Sequence, residues 1–173
     1  MRAWHALLLL VPFAASAQMP GSETRYGEPD RRGEAAVALP PYPKPENYLP
    51  FQVSATTPFL FFVDANSLSV GADQVVRYSL IAKSADGALN VSYEGMRCSD
   101  MQFRVYAFGR SDNSWVEARN SQWEPIRITS RNTQRGVLYS DFFCPTAGYI
   151  GTAEEAVRVL KNGGNPRAAN KGY

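Results

Sequence analysis

The sequence predicts an α+β domain, an antiparallel sheet of about five to six strands packed by C-terminal helices, and three stretches carry that prediction. Asp86-Gly87 separates the runs Val75 to Ser84 and Ala88 to Arg97, which makes a central hairpin over residues 75–97. Met101 to Gly109 is apolar on both faces, as a strand at 101–109 is when it lies inside a sheet or under a helix. Thr152-Ala153-Glu154-Glu155 then opens a helix with a capping box, and Ala153, Ala156, Val157 and Leu160 share one of its faces.

Taken in order, residues 1–17 read as a secretory signal peptide. Arg2 precedes an apolar run from Ala6 to Ala15 that closes on Ala15-Ser16-Ala17. The run falls short of the about 20 apolar residues needed to cross a bilayer, and no later stretch is longer, so the reading is a soluble, exported, periplasmic protein with no transmembrane segment. No cysteine stands at the cleavage site to carry a lipid anchor. Residues 18–45 are polar and then rich in proline, with Pro40, Pro41, Pro43 and Pro45, and are expected as a disordered to proline-rich linker.

A single domain is expected over residues 46–164, followed by a flexible tail at 165–173. Phe59 to Val63 reads as a buried strand, Leu68 to Val70 as a short one, and Gly71-Ala72-Asp73 as a turn. Asp64 and Asn66 mimic the start of a calcium loop, but Leu68 occupies the next ligand position, so a turn is the reading and no metal site is assigned.

With Asp86 and Gly87 as a two-residue loop, Ala82 faces Val91, Leu80 faces Tyr93 and Tyr78 lies over Gly95. Lys83, Ser79 and Arg77 then meet Asn90, Glu94 and Met96 on the polar side. Beyond Gly109, Trp115 to Ala118 reads as a further strand, Pro125 argues against a central strand after Trp123, and Arg131 to Phe143 has helical spacing.

Composition excludes several functions. Losing Arg2 with the signal leaves one fewer than the 18 basic residues against 16 acidic ones, so the electrostatic basis for nucleic-acid binding is missing. His5 is the one histidine of the sequence and leaves with the same segment. Ser-His-Asp and Cys-His hydrolysis and the usual His-containing zinc sites go with it. No Ser-x-x-Lys spacing replaces them, since Pro41, Leu80, Arg158 and Ala168 precede the four lysines by three residues. No cofactor is implied. Cys98 and Cys144, the two cysteines, are expected as a structural disulfide in an oxidising compartment.

Several short motifs together carry a family resemblance: Leu39-Pro-Pro-Tyr-Pro43, Leu49-Pro-Phe51, Phe62-Val-Asp64, Val91-Ser-Tyr-Glu-Gly95 with Arg97-Cys98, Tyr106-Ala-Phe-Gly109, Trp115, Trp123, and Asp141 to Pro145. Through them, over about residues 39–160, the chain resembles the CNP-like family of proteobacterial cell-envelope proteins. The resemblance implies an envelope location and a domain extent, and brings no activity with it.

The most site-like stretch is Trp115 to Trp123, where two indoles bracket Glu117, Arg119, Asn120 and Gln122. Rings that cover apolar faces beside planar polar groups suit a carbohydrate or peptide. The expected function is therefore a non-enzymatic binding or interaction domain for an envelope component or a protein partner, although tryptophans in such a stretch are also what a core requires. The alternative is a carboxylate-dependent cell-wall or glycan hydrolase using Glu117 with Glu94 or Asp141.

Overall fold

The computed structural model describes residues 33–127, 133–145 and 149–168. The expected signal peptide lies outside the described residues. Within them the chain forms one antiparallel sheet of eight strands in the order β1-β2-β4-β5-β6-β7, with β3 beside β4 and β8 beside β6. The strands are β1 (Tyr48–Phe51), β2 (Leu60–Asp64), β3 (Ser69–Val70), β4 (Val75–Lys83), β5 (Leu89–Arg97), β6 (Gln102–Gly109), β7 (Trp115–Glu117) and β8 (Glu124–Pro125). Short β2 and β3 share one flank of β4, and β7 and β8 share one flank of β6, so the sheet is about as wide as the sequence predicts. Helix α1 (Gln134–Val137), which runs on as a wider π turn through Leu138–Phe143, and α2 (Ala153–Lys161) cover one side of it.

The hairpin forms where expected, but its register is shifted by one residue. Ala82 pairs with Asn90, Leu80 with Ser92, Tyr78 with Glu94 and Arg77 with Gly95. The reason lies in the loop, where the Gly87 amide donates to the Ser84 carbonyl and the Ser84 amide to the Ala88 carbonyl, closing a three-residue connection. Gly87 alone takes a positive φ, +86°, as a type I turn ending in a glycine bulge requires; a type I′ loop would need Asp86 there as well. The shift turns Glu94 and Ser92 toward the helices and Tyr93 away from them.

A second irregularity lies across β5, where Tyr93 pairs with Ala107 but Glu94 with Val105. Tyr106 is the extra residue of this bulge, so Phe103 and Val105 face the helices while Tyr106 and Ala107 both turn to the other side. Strict alternation along β6 therefore breaks at Tyr106. Gly95 makes room for the displaced ring, since a Cβ there would lie 2.3 Å from the Tyr106 hydroxyl oxygen.

The helix-facing side holds the main core. Phe51, Phe61, Val63, Val76, Tyr78, Leu80 and Met96 of the sheet meet Leu138, Phe142, Phe143, Ala156, Val159 and Leu160. Burying each such side chain is worth about 1.5–3 kcal/mol, which is ample to seat two short helices. Thr133 caps α1 by accepting from the Gly136 amide. Thr152 caps α2 by accepting from Glu155, whose own carboxylate accepts from Gly151 rather than closing the box on Thr152. Past α2, the Gly163 and Gly164 amides donate to the Leu160 and Val159 carbonyls in a Schellman turn.

Cys98 at the end of β5 and Cys144 after the π turn are joined, with Cα atoms 5.3 Å apart. That bond fixes α1 to the sheet. Asn165, assigned by sequence to the tail, is 4% exposed and donates through its side chain to the Phe142 carbonyl.

Candidate functional site on the outer face

Residues 33–44, the last part of the expected linker, are extended and cross the face of the sheet that the helices leave open. The Trp115 indole donates to the Pro40 carbonyl, 2.9 Å, and stacks on Tyr42 with ring centroids 5.3 Å apart. Tyr42 in turn donates to the Arg110 carbonyl. Val37 packs with Tyr93, Tyr106, Ala107 and Trp115. This segment is a strap rather than a spacer, and it covers Arg77 of β4 and the Tyr93, Tyr106 and Ala107 side of β5 and β6.

At the start of the strap, Glu34 enters a cluster of cations. One carboxylate oxygen accepts from the Tyr106 hydroxyl at 2.5 Å and lies 3.4 Å from Arg77 Nη2. The other accepts from Arg104 Nη1 at 2.7 Å. The two arginines are themselves held in place. Arg77 is clamped by both oxygens of Asp73, at 3.2 and 2.6 Å, and Arg104 Nε donates to Ser121 Oγ, which donates to the Val105 carbonyl. The Asp73 oxygens also accept from the Ala35 and Val75 amides. Both guanidinium groups lie over the Tyr106 ring, 5.9 and 5.5 Å from its centre.

Burial raises the Asp73 carboxyl, but the hydrogen bonds from Arg77, Ala35 and Val75 outweigh it and hold the group at about 2. Burial likewise works against the Arg77 charge, and the bonds to Asp73 more than restore it. The Tyr106 hydroxyl is pushed up by burial and by its bond to Glu34, so it stays a donor at neutral pH. One feature of the cluster is unfilled: Arg77 Nε is buried and has no partner among the described residues.

The six residues singled out by sequence are not gathered into one constellation. Trp115 and Trp123 both belong to the outer face, at opposite ends of β6. Trp115 pairs with Gly109, while Trp123 precedes Glu124, which pairs with Phe103. At about 3.4 Å per residue this puts the two indoles roughly 17 Å apart along the strand, with the Glu34 cluster between them. Trp123 carries the Arg97 guanidinium on its ring at 4.5 Å, and Arg97 also reaches Gln102 and Asp100. Glu117, Arg119, Asn120 and Gln122 are exposed along the rim.

The three carboxylates of the hydrolase alternative are scattered. Glu94 is fully buried on the helix side, where it accepts from Arg135 Nε and Nη2 at 2.8 and 2.7 Å, from Ser92 Oγ at 2.6 Å and from the Tyr78 hydroxyl at 3.5 Å. Its charged partner is thus Arg135 on α1. Four donors leave that carboxylate no free lone pair to take a substrate proton. Glu117 is exposed on β7 and Asp141 is exposed on the π turn.

The residues that sequence reasoning missed are Glu34, Asp73, Arg77, Arg104 and Tyr106. A legible signal was present: arginines at 77 and 104 inside otherwise apolar strands demand a buried anion, and Gly95 in mid-strand demands a neighbour's ring. Among the described residues there is no cluster able to hold a metal ion and no helix long and apolar enough to cross a membrane.

No curated protein and no solved structure matches the chain. A family description does match over residues 28–161, which takes in the strap, the whole sheet and α2, and on that match the chain belongs to the CNP1-like family.

Proposed function

We propose that the protein is an exported, non-enzymatic interaction domain of the periplasm, and that it recognises a component of the cell envelope through the outer face of its sheet between Trp115 and Trp123. The observation that carries this reading is the strap itself. Residues 34–42 occupy that face as a bound peptide occupies a groove, with a charged anchor at Glu34, an apolar contact at Val37 and an aromatic contact at Tyr42. Export is supported by the leader-like start of the sequence and by a disulfide that closes a long loop.

Photo-crosslinking in the intact envelope tests the reading. A photoreactive residue at Glu117 or at Arg119, on the exposed rim, should capture a discrete component. The same residue at Asp86, at the hairpin tip, should not. Equal labelling at all three positions would remove the outer face as the recognition surface.

A further inference from the structure

We infer that Arg77, Arg104 and Tyr106 form a receptor for the carboxylate of an extended acidic peptide, and that Glu34 is its tethered occupant in cis. The inference rests on the outer face being the recognition surface and goes on to name what is recognised there.

Two arginines and a phenol converge on one carboxylate, with Arg77 held by Asp73 and Arg104 by Ser121 before any ligand is considered. Preorganised donors of this kind are costly to bury and are arranged for an anion, since guanidinium–carboxylate hydrogen bonds are about twice as strong as neutral ones. Asp73 neutralises one arginine, so the cluster keeps a positive charge for whichever anion enters.

Glu34 fills the receptor incompletely. Its contact with Arg77 is the long one, 3.4 Å, and Arg77 Nε has no partner among the described residues. A carboxylate approaching the guanidinium edge through Nε and Nη2 would satisfy both, which Glu34 does not. The entry side is open as well, because the Arg104 side chain is 31% exposed whereas that of Arg77 is 6% exposed. Gly33, at φ +65°, turns the chain just before Glu34, and a Cβ there would meet nothing within 4 Å among the described residues.

The rest of the groove specifies a peptide rather than a small anion. Asp73 accepts from the backbone amide of Ala35, the residue after the anchor, at 2.9 Å. Val37 enters the Tyr93, Tyr106 and Trp115 surface, and the Trp115 indole reads the Pro40 carbonyl. The ligand class is therefore an extended segment with a carboxylate side chain, a free amide at the next residue and an apolar residue two further on.

The probe is a dye-labelled synthetic peptide with the sequence of residues 33–42, together with its glutamine counterpart at the anchor. Both are titrated by anisotropy into the full-length protein and its E34Q and E34Q/R104A variants. A tethered side chain competes at an effective concentration on the order of mM, so E34Q should bind the glutamate peptide at least about tenfold more tightly than the parent protein. The glutamine peptide should bind E34Q about tenfold more weakly than the glutamate peptide, and adding R104A should remove that preference. Equal binding by parent and E34Q, or no preference for glutamate, overturns the inference.

Should E34Q fail to fold, hydrogen exchange on the parent protein answers the same question. Saturating glutamate peptide must speed exchange of the Ala35 amide relative to glutamine peptide, and unchanged exchange refutes displacement. If the peptide fails while rim crosslinking still captures an envelope component, the recognition surface stands and the ligand class falls. If both fail, the surface falls too.

Discussion

Removing Arg135 should be the most damaging single change in the domain, and the asymmetry between the two halves of its ion pair is the measurable consequence. R135A leaves the Glu94 carboxylate, which is 0% exposed, with Ser92 and a distant Tyr78 hydroxyl as its partners among the described residues. Stranding a buried charge costs about 3–5 kcal/mol, a large part of the 5–15 kcal/mol that holds a domain of this size together. E94Q is gentler, because the Arg135 side chain is already 26% exposed and its guanidinium lies 4.0 Å from the Phe103 ring centre, so it can turn to water without leaving that ring. Its cost should be about 1–2 kcal/mol. With a urea slope of about 2 kcal/mol/M, R135A should lower the unfolding midpoint by roughly 1.5–2.5 M and E94Q by less than about 1 M. The double variant E94L/R135M should recover most of the R135A loss, since apolar replacement of a buried pair is often close to neutral. Urea unfolding at pH 7, with the disulfide kept oxidised, measures all three. A midpoint for R135A within about 0.5 M of the parent, or a larger loss for E94Q than for R135A, would refute the view of Glu94 as a sealed charge dependent on one cation.

Replacing both Cys98 and Cys144 by alanine should cost about 4 kcal/mol from the loop of about 47 residues that the bond closes, read as a fall in urea midpoint that reductant reproduces in the parent. The Asp73 carboxyl, held at about 2 against an ordinary 3.8, contributes stability that is complete above the higher value and is lost as pH falls through the lower one. D73N should therefore flatten the acid limb of stability between about pH 5 and pH 2, by an amount of order 1–2 kcal/mol after allowance for partial exposure, and an unchanged limb would count against the clamp. G95A should displace the Tyr106 ring and cost about 1–3 kcal/mol, and the E34Q substitution should then cost less in G95A than in the parent, because the bond it removes is already broken.

Much of the fold is legible in the sequence because its signals are local. The Asp86-Gly87 loop, the Thr152 cap and the two cysteines each state their role within a few residues of themselves. The hairpin register is not legible in this way. In either register Val75 to Ile81 meets a partner strand that looks half apolar, since this stretch is buried on both faces and alternation then carries no information. The strap covers Arg77 and the Tyr93, Tyr106 and Ala107 part of the outer face, and it reads as a linker because its contacts are made by single residues, Glu34, Val37 and Tyr42, separated by alanines and prolines. The candidate site was hidden for the same reason. Its residues come from the strap, the β3–β4 turn, β4 and β6, and only the bulge at Tyr106 brings them together. The tryptophans were visible as residue types, whereas their separation along β6 was not.

The two ion clusters sit on opposite faces of the same three strands, and what covers each one decides what it can do. Glu94 and Arg135 lie under a helix that the Cys98–Cys144 bond ties to the sheet and that Leu138, Phe142 and Phe143 anchor in the main core. Opening that cluster means giving up several fully buried apolar side chains at about 1.5–3 kcal/mol each, which approaches global unfolding. The outer cluster is closed by Glu34, whose side chain is 14% exposed, together with one packed valine, one tyrosine–tryptophan contact and the hydrogen bonds made at Ala35, Pro40 and Tyr42. The strap's hydrogen bonds contribute about 0.5–1.5 kcal/mol each and its aromatic pair about as much, and no covalent bond holds it, so lifting the strap costs less than lifting the helix. A sheet with one face locked covalently and the other closed by a few separable contacts can exchange partners on the second face while the first keeps the fold intact. That difference in opening cost is the physical ground for locating recognition at Arg77, Arg104 and Tyr106 and for leaving Glu94 to structure.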